Sequence, residues 1–234
     1  MKRHQNACCG CEGEQMAFST PDDVQPVRIE PPGIEAFLGV PSGASGLVIF
    51  AHGSGSGRFS PRNNRVAAAL REAGLATLLV DLLRPDEEQD RRNVFDIDLL
   101  ADRLVAAKRW VSEVSEASHL AVGYFGASTG AGAALQAAYA EPDVGAVVSR
   151  GGRPDLAMQV LPEVRAPTLL LVGSLDGPVI DMNERAFDAL ACEKRLIIID
   201  GAGHLFEEPG TMDQVIRHAT DWFLIHLGST PGRT

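Results

Sequence analysis

The sequence predicts an α/β protein with a doubly wound, mostly parallel β-sheet flanked by helices. From residue 27 onward, short apolar runs alternate with amphipathic stretches, and strand–helix alternation along one chain is typical of such sheets with right-handed crossovers. Several runs, such as LVIFA and the LLLVG of TLLLVG, are continuously apolar. A strand with one wet face would alternate instead, so we expect these strands to be covered on both faces, as in a parallel sheet.

Seven strands are predicted from the apolar runs, and the segments between them are expected to form helices. The runs are Glu35–Val40, Gly46–Ala51, Leu75–Leu82, Leu120–Gly123, Val144–Ser149, Thr168–Gly173 and Arg195–Asp200. Ser60-Pro61 offers an N-cap and a first-turn proline, and Gly74 a C-terminal stop. Asn93 is expected to cap a long helix, and Thr211 with Gln214 resembles a capping box for the last helix.

The chain is expected to form one domain over residues 26–228, between a flexible N-terminal tail at 1–25 and a short C-terminal tail at 229–234. Short connections leave little room for a lid domain. Three of the four cysteines, Cys8, Cys9 and Cys11, crowd into the N-terminal tail. The spacing of Cys8 and Cys11 is that of a metal-binding CxxC, but only His4 and Cys9 lie nearby as further ligands, so exposed thiols are the preferred interpretation.

Composition excludes several functional classes. The 234 residues include 21 Lys plus Arg and 31 Asp plus Glu, giving a formal charge of −10. This sign argues against a broad nucleic-acid or anionic-membrane surface. No apolar stretch approaches the roughly 20 residues that span a bilayer, and the N-terminal segment lacks the apolar region of a secretory signal. A cytoplasmic location is therefore expected.

The candidate nucleophile is Ser128, at the centre of a G-x-S-x-G motif. The motif follows a predicted strand and precedes the Ala-rich segment Ala131–Ala140, predicted as a helix. A nucleophile on such a sharp strand-to-helix turn needs small neighbours, and the helix N-terminus there favours developing negative charge. The sequence therefore predicts a serine nucleophile rather than a simple Gly-rich turn.

A base and an acid for Ser128 are expected further along the chain, because a serine hydroxyl is a weak nucleophile that needs activation. The order in this type of fold is Ser, then Asp or Glu, then His. Asp176 follows the run Thr168–Gly173, and His204 follows Arg195–Asp200 on a Gly-rich loop. Asp181 and Asp200 are rival acids. His52 also follows a strand but precedes the nucleophile, so His204 is the predicted base.

The predicted oxyanion hole consists of two backbone N–H groups. One belongs to Thr129, directly after the nucleophile, and the other to Ser54 in the loop HGSGSG after an early strand. The loop lacks the lysine of a phosphate-binding P-loop and does not match GxGxxG.

These motifs resemble the α/β-hydrolase superfamily, and more narrowly its dienelactone-hydrolase-related branch of small, lidless enzymes. They are FAHGSG from Phe50, GYFGASTG from Gly123, GSLD from Gly173 and GHLFEEPG from Gly203, and the resemblance covers about residues 27–227. The resemblance implies a Ser128–Asp176–His204 triad and no metal or organic cofactor. Dienelactone hydrolase itself is known for a cysteine nucleophile, so the serine favours a general ester or lactone hydrolase.

Arginines near the predicted active edge suggest how a substrate could be recognised. Arg150 and Arg153 follow one strand and Arg58 follows the oxyanion loop. A guanidinium can bind a carboxylate bidentately, so these side chains are candidate substrate-binding residues. The alternative is that they pair with nearby acids such as Asp155 or Asp81.

The predicted function is hydrolysis of a small-molecule carboxylic ester or lactone through an acyl-enzyme. An acyltransferase with the same triad and a non-catalytic binding module of the same fold are the alternatives. The sequence sets neither the natural substrate nor the oligomeric state.

Overall fold

A computed structural model of the chain describes residues 24–228. Eight strands form one sheet in the order β1-β2-β4-β3-β5-β6-β7-β8, and neighbours from β4 onward run parallel. The strands are β1 Gln25–Ile29, β2 Ile34–Gly39, β3 Leu47–Ala51, β4 Ala76–Val80, β5 Val122–Ala127, β6 Ala146–Arg150, β7 Thr168–Gly173 and β8 Lys194–Ile199. The predicted doubly wound α/β class is confirmed, and residues 24–228 contain no separate lid domain.

Helices cover both faces of the sheet, which explains the uninterrupted apolar runs. They are α1 Pro61–Glu72, α2 Arg91–Val94, α3 Ile97–Glu113, α4 Thr129–Ala140, α5 Gly177–Ala189 and α6 Thr211–Leu227, with short 3₁₀ turns at Pro154–Ala157 and Leu161–Glu163. Phe50 of β3 packs in the core beneath α1 and α6, whereas Ile49 packs beneath α3, α4 and α5. Successive residues of a strand point to opposite faces, so strands covered by helices on both sides, such as β3 and β5, are buried at every position.

The first strand was not among the seven predicted. β1 forms an antiparallel hairpin with β2 at the sheet edge, and β2 runs antiparallel to β4. Its sequence QPVRI is largely exposed, so it shows neither an apolar run nor clear alternation. Gln25, assigned to the tail from the sequence, is the first residue of β1.

Two of the predicted helix caps are wrong. The long helix α3 begins after Asp96, whose carboxylate accepts the Leu99 N–H at 3.0 Å, while Asn93 lies in the short helix α2. Helix α6 has Gly210 at its N-cap, and the Thr211 hydroxyl donates to the Glu208 carbonyl at 2.7 Å instead of capping the helix. The Ser60 cap and the Gly74 stop are confirmed: Ser60 Oγ accepts the Asn63 N–H, and Gly74 has φ +84°.

The predicted tails at 1–25 and 229–234 lie almost wholly outside the described residues, as do Cys8, Cys9 and Cys11. Within the described part of the chain, none of the helices combines the length and apolar character needed to cross a membrane.

Candidate active site

Ser128 sits on a strained turn between β5 and α4. Its φ of 51° and ψ of −122° lie in a region that L-residues rarely adopt. The Ser128 N–H donates to the Arg150 carbonyl at 3.2 Å, and the Ser128 carbonyl accepts the Arg153 N–H at 2.9 Å. These bonds to the end of β6 and the loop after it fix the turn and hold the serine at the carboxyl edge of the sheet.

The two glycines of the motif are required by packing. A Cβ at Gly130 would lie 2.2 Å from the Ala51 carbonyl oxygen, and a Cβ at Gly126 would lie 2.4 Å from the Ala131 Cα. Both contacts are with backbone, which cannot move aside without shifting an element. Small residues on either side of Ser128 therefore let helix α4 approach β3 and β5 closely enough to form the turn.

Asp176 and His204 form a hydrogen-bonded pair at the same edge. The Asp176 Oδ2 lies 2.6 Å from His204 Nδ1, and the Asp176 side chain is 13% exposed against 39% for His204. Asp176 directly precedes α5 and makes no side-chain capping bond there, so its carboxylate serves the imidazole rather than the helix. A carboxylate on Nδ1 orients the ring and leaves Nε2 as the nitrogen that can accept a proton.

The alternative acids and the alternative base are not available for the same role. The two acids, Asp181 and Asp200, are both exposed, and Asp200 contacts Ser174 at 3.5 Å. His52 Nε2 accepts the Leu82 N–H at 3.0 Å and its Nδ1 lies 3.0 Å from the Gly53 carbonyl. Because Nε2 is an acceptor there, Nδ1 carries the proton, and both nitrogens of this ring are used by backbone.

Gly151 connects the Ser128 side of the site to the imidazole. It follows Arg150, whose carbonyl binds the Ser128 N–H, and a Cβ at Gly151 would lie 3.1 Å from the His204 carbonyl oxygen and 3.5 Å from His204 Nδ1. The described residues show no hydrogen bond between Ser128 Oγ and His204. Catalytic hydrogen bonds are often long until substrate binds, so the assignment of Ser128, Asp176 and His204 as a triad stays a prediction.

The two predicted oxyanion donors lie side by side. The Ser54 N–H donates to the Thr129 Oγ1 at 3.1 Å, and a Cβ at Gly53 would lie 3.0 Å from Ser128 Cβ. Loop 52–57 therefore packs directly on the nucleophile turn. The Thr129 N–H belongs to the first residue of α4, a position with no partner inside its helix. An oxyanion bound here must displace the Thr129 hydroxyl from the Ser54 N–H or share that donor with it.

A largely apolar cavity of about 130 Å³ adjoins the oxyanion loop. Leu82, Leu83, Val94 and Leu100 supply its apolar wall, loop 52–55 and Thr129 its polar end, and Glu88 its exposed rim. Sequence reasoning missed this cavity, because its walls come from three separate segments. The one available signal was that Leu82 ends a predicted strand and Leu83 follows it directly.

Two of the three arginines singled out from the sequence are tied to carboxylates. Arg58 pairs with Asp81 through its guanidinium and, at 2.6 Å, through its backbone N–H. Arg153 binds Asp155 with two hydrogen bonds of 2.8 Å. The alternative interpretation, in which an arginine braces its own loop, describes both contacts. Arg150 differs from them, because no carboxylate of residues 24–228 pairs with it.

The electrostatics of the His204 loop also involve Glu208. Hydrogen bonds from backbone N–H groups, mainly that of Gly203, lower the pKa of this carboxyl.

Among residues 24–228, no group of three or more His, Cys, Asp or Glu side chains is arranged to bind a metal ion.

Comparison with solved structures identifies close relatives of this fold. The dienelactone hydrolase from Anabaena variabilis is 53% identical, with a TM-score of 0.83 over 88% of this chain and 99% of that chain. Est1E from Butyrivibrio proteoclasticus is 15% identical, with a TM-score of 0.73 over 87% of this chain and 98% of that chain, and so shares the fold.

A second kind of relative is longer. A Mycobacterium tuberculosis H37Rv protein named "Putative phosphoribosyl transferase" is 53% identical over 208 residues, which is 88% of this chain but 47% of that protein. The chain thus spans about half the length of the curated relatives it matches.

The family-level comparison covers most of the chain. The profile of the dienelactone hydrolase family matches residues 34–222, a segment that includes the Ser128 turn, Asp176, His204 and the oxyanion loop. The chain therefore belongs to the dienelactone hydrolase family.

Proposed function

We propose that this chain is a serine hydrolase that cleaves a carboxylic ester or lactone through an acyl-enzyme. The observation that carries the proposal is the 2.6 Å contact between Asp176 and His204 at the sheet edge where the strained Ser128 turn lies. Membership of a hydrolase family and structural neighbours that include esterases support the same reaction class.

The acylation step follows from the roles of these groups. His204 Nε2 takes the Ser128 proton while Oγ attacks the substrate carbonyl carbon, and Asp176 stabilises the imidazolium that forms. The N–H groups of Thr129 and Ser54 bind the oxyanion. When the carbon–oxygen bond to the alcohol breaks, His204 gives its proton to the departing alkoxide, leaving an ester of Ser128.

Deacylation repeats the sequence with water. His204 removes a proton from a water molecule, whose oxygen attacks the acyl carbon. The bond to Ser128 Oγ then breaks, and the proton returns to that oxygen. The net reaction is ester plus water giving acid plus alcohol.

The name of the mycobacterial relatives raises a transferase as a rival. Less than half of each relative aligns with this chain, whereas this chain matches 99% of the length of a dienelactone hydrolase. We therefore retain the hydrolase assignment. An acyltransferase that uses the same acyl-enzyme is separated by product analysis with added alcohols or amines: hydrolysis yields the free acid, whereas transfer yields a new ester or amide.

The direct test is Ser128→Ala with p-nitrophenyl butyrate. Turnover should vanish while the circular dichroism spectrum stays that of the wild type, because the alanine removes only the hydroxyl. Wild-type rates in this variant would refute the nucleophile assignment, and a wild-type protein inactive on all esters would favour the binding-module alternative.

The cytoplasmic location stays a prediction, to be checked by cell fractionation.

A further inference from the structure

The Arg150 side chain is a buried cation that has no partner among residues 24–228. Arg150 ends β6, beside the strand that carries Ser128, and it is 7% exposed. Its Nε and Nη1 atoms are buried and have no hydrogen-bond partner among the described residues. Buried arginines are rarely left unpaired, since desolvation of the charge is costly. A ligand that supplies negative charge would compensate this guanidinium.

The charge of a second guanidinium acts on the first. Burial lowers the pKa of Arg150 to about 10, and the positive charge of Arg62, in the first turn of α1, lowers it further in the same direction. Arg62 itself binds Glu207 at 2.7 Å, but the Glu207 side chain is 63% exposed. Among the described residues, Arg62 therefore has one carboxylate partner, which lies largely in solvent, and Arg150 has none. A dianion would match this excess of positive charge better than a monoanion.

Both arginines are connected to the loop that carries His204. Glu207, the partner of Arg62, follows His204 by three residues, and a Cβ at Gly151, next to Arg150, would lie 3.1 Å from the His204 carbonyl oxygen. Because His204 must protonate the departing alkoxide, the alcohol part of a substrate lies on this side. The apolar cavity adjoins the oxyanion loop instead and therefore suits the acyl part.

The cavity limits the size of that acyl part. Its volume is about 130 Å³, slightly below that of an engineered protein cavity of about 150 Å³ that holds one benzene molecule. Leucine and valine side chains form most of its wall. The acyl group is therefore uncharged and no larger than roughly one aromatic ring.

We propose that Arg150, assisted by Arg62, binds a phosphate group on the alcohol part of the substrate. The substrate class is then an ester between a small uncharged acyl group and a phosphorylated alcohol. Phosphate carries a charge of about −1.5 to −2 near neutral pH, and it accepts hydrogen bonds from two guanidinium groups at once. This inference rests on the proposed ester hydrolysis.

The kinetic test compares three esters that share a butyryl group: 1-butyrylglycerol 3-phosphate, 1-butyrylglycerol and 3-butyrylglycerate. For wild type, kcat/KM for the phosphate ester should exceed that for the neutral ester by roughly ten- to a hundredfold, the usual range for a hydrogen-bonded charged group. Arg150→Met should reduce this ratio at least tenfold. Equal kcat/KM values for all three esters, or a preference for the carboxylate ester, would overturn the proposal.

Arg65→Met is the matched control. Arg65 lies on the same helix as Arg62, and its replacement by methionine also removes a positive charge. Unlike Arg150, Arg65 is exposed and pairs with Asp213. The ratio of kcat/KM for the phosphate ester to kcat/KM for the neutral ester should therefore be the same in Arg65→Met as in the wild type. A similar loss of the ratio in both variants would show that overall charge, and not the Arg150 site, sets the preference.

A binding measurement keeps the inference separate from the proposed function. Calorimetric titration of wild type with inorganic phosphate should show one site with a dissociation constant in the millimolar range or below, weakened by Arg62→Met and abolished by Arg150→Met. Arg150→Lys keeps the charge and serves as a second variant if Arg150→Met does not fold. Absence of phosphate binding overturns the inference even if esters are hydrolysed, whereas phosphate binding without turnover of any ester overturns only the proposed hydrolase.

Discussion

Replacing Arg150 by methionine should make the protein more stable. Burial and Arg62 lower the pKa of Arg150 to about 10, which corresponds to a cost of about 3 kcal/mol for holding the charged side chain in the fold. This cost is fully present at neutral pH, and it is relieved only as the pH rises above about 10. Methionine fills similar space without a charge, so the free energy of unfolding should rise by about 1 to 3 kcal/mol.

Urea unfolding at neutral pH, followed by circular dichroism, measures this difference. Arg65→Met, which removes an exposed arginine, should change the free energy of unfolding by no more than about 0.5 kcal/mol. Added inorganic phosphate should stabilise the wild type, because a ligand of the folded state adds to its stability, and should not stabilise Arg150→Met. A loss of 1 kcal/mol or more in Arg150→Met would show that the guanidinium has favourable partners, and would refute the reasoning.

Three further changes test other parts of the site. Asp176→Asn should lower kcat for p-nitrophenyl butyrate by about 10³- to 10⁴-fold, because His204 loses the carboxylate that orients it; a loss below tenfold would remove Asp176 from the triad. Gly130→Ala should lower the free energy of unfolding by about 3 kcal/mol or prevent folding, since its Cβ would lie 2.2 Å from the Ala51 carbonyl oxygen; unchanged urea unfolding would contradict this packing. Leu83→Ala should raise activity on p-nitrophenyl octanoate relative to the butyrate by widening the cavity wall; an unchanged chain-length profile would place the acyl group elsewhere.

The sheet could be predicted from sequence because its central strands are buried on both faces. The run Thr168–Gly173 is buried at every position and became β7 with the same bounds. The edge strand β1 was not predicted, because its sequence QPVRI is mostly exposed and its formation depends on pairing with β2. Helix α3 shows the limit of capping rules: Asn93 and Asp96 are both good N-cap residues, and only the structure shows that Asp96 is the cap.

The three candidate catalytic residues could be predicted because each must follow a strand, in the order that this chemistry uses in such folds. Ser128, Asp176 and His204 each follow a strand, and the carboxyl ends of parallel strands meet at one edge. The arginines were not predictable in this way. Arg150 and Arg153 are three residues apart and look equivalent in sequence. In the part of the chain that the structure describes, however, Arg150 is buried with no carboxylate partner, whereas Arg153 is bound to Asp155. That difference depends on which elements pack around each side chain.

Labelling with a fluorophosphonate probe tests the central claim most directly, because the reagent reacts only with an activated serine. Peptide mass spectrometry of the labelled wild type should show one adduct, on the peptide that contains Ser128, and none in Ser128→Ala. A folded wild type that stays unlabelled, or an adduct that persists in the variant, would contradict the account.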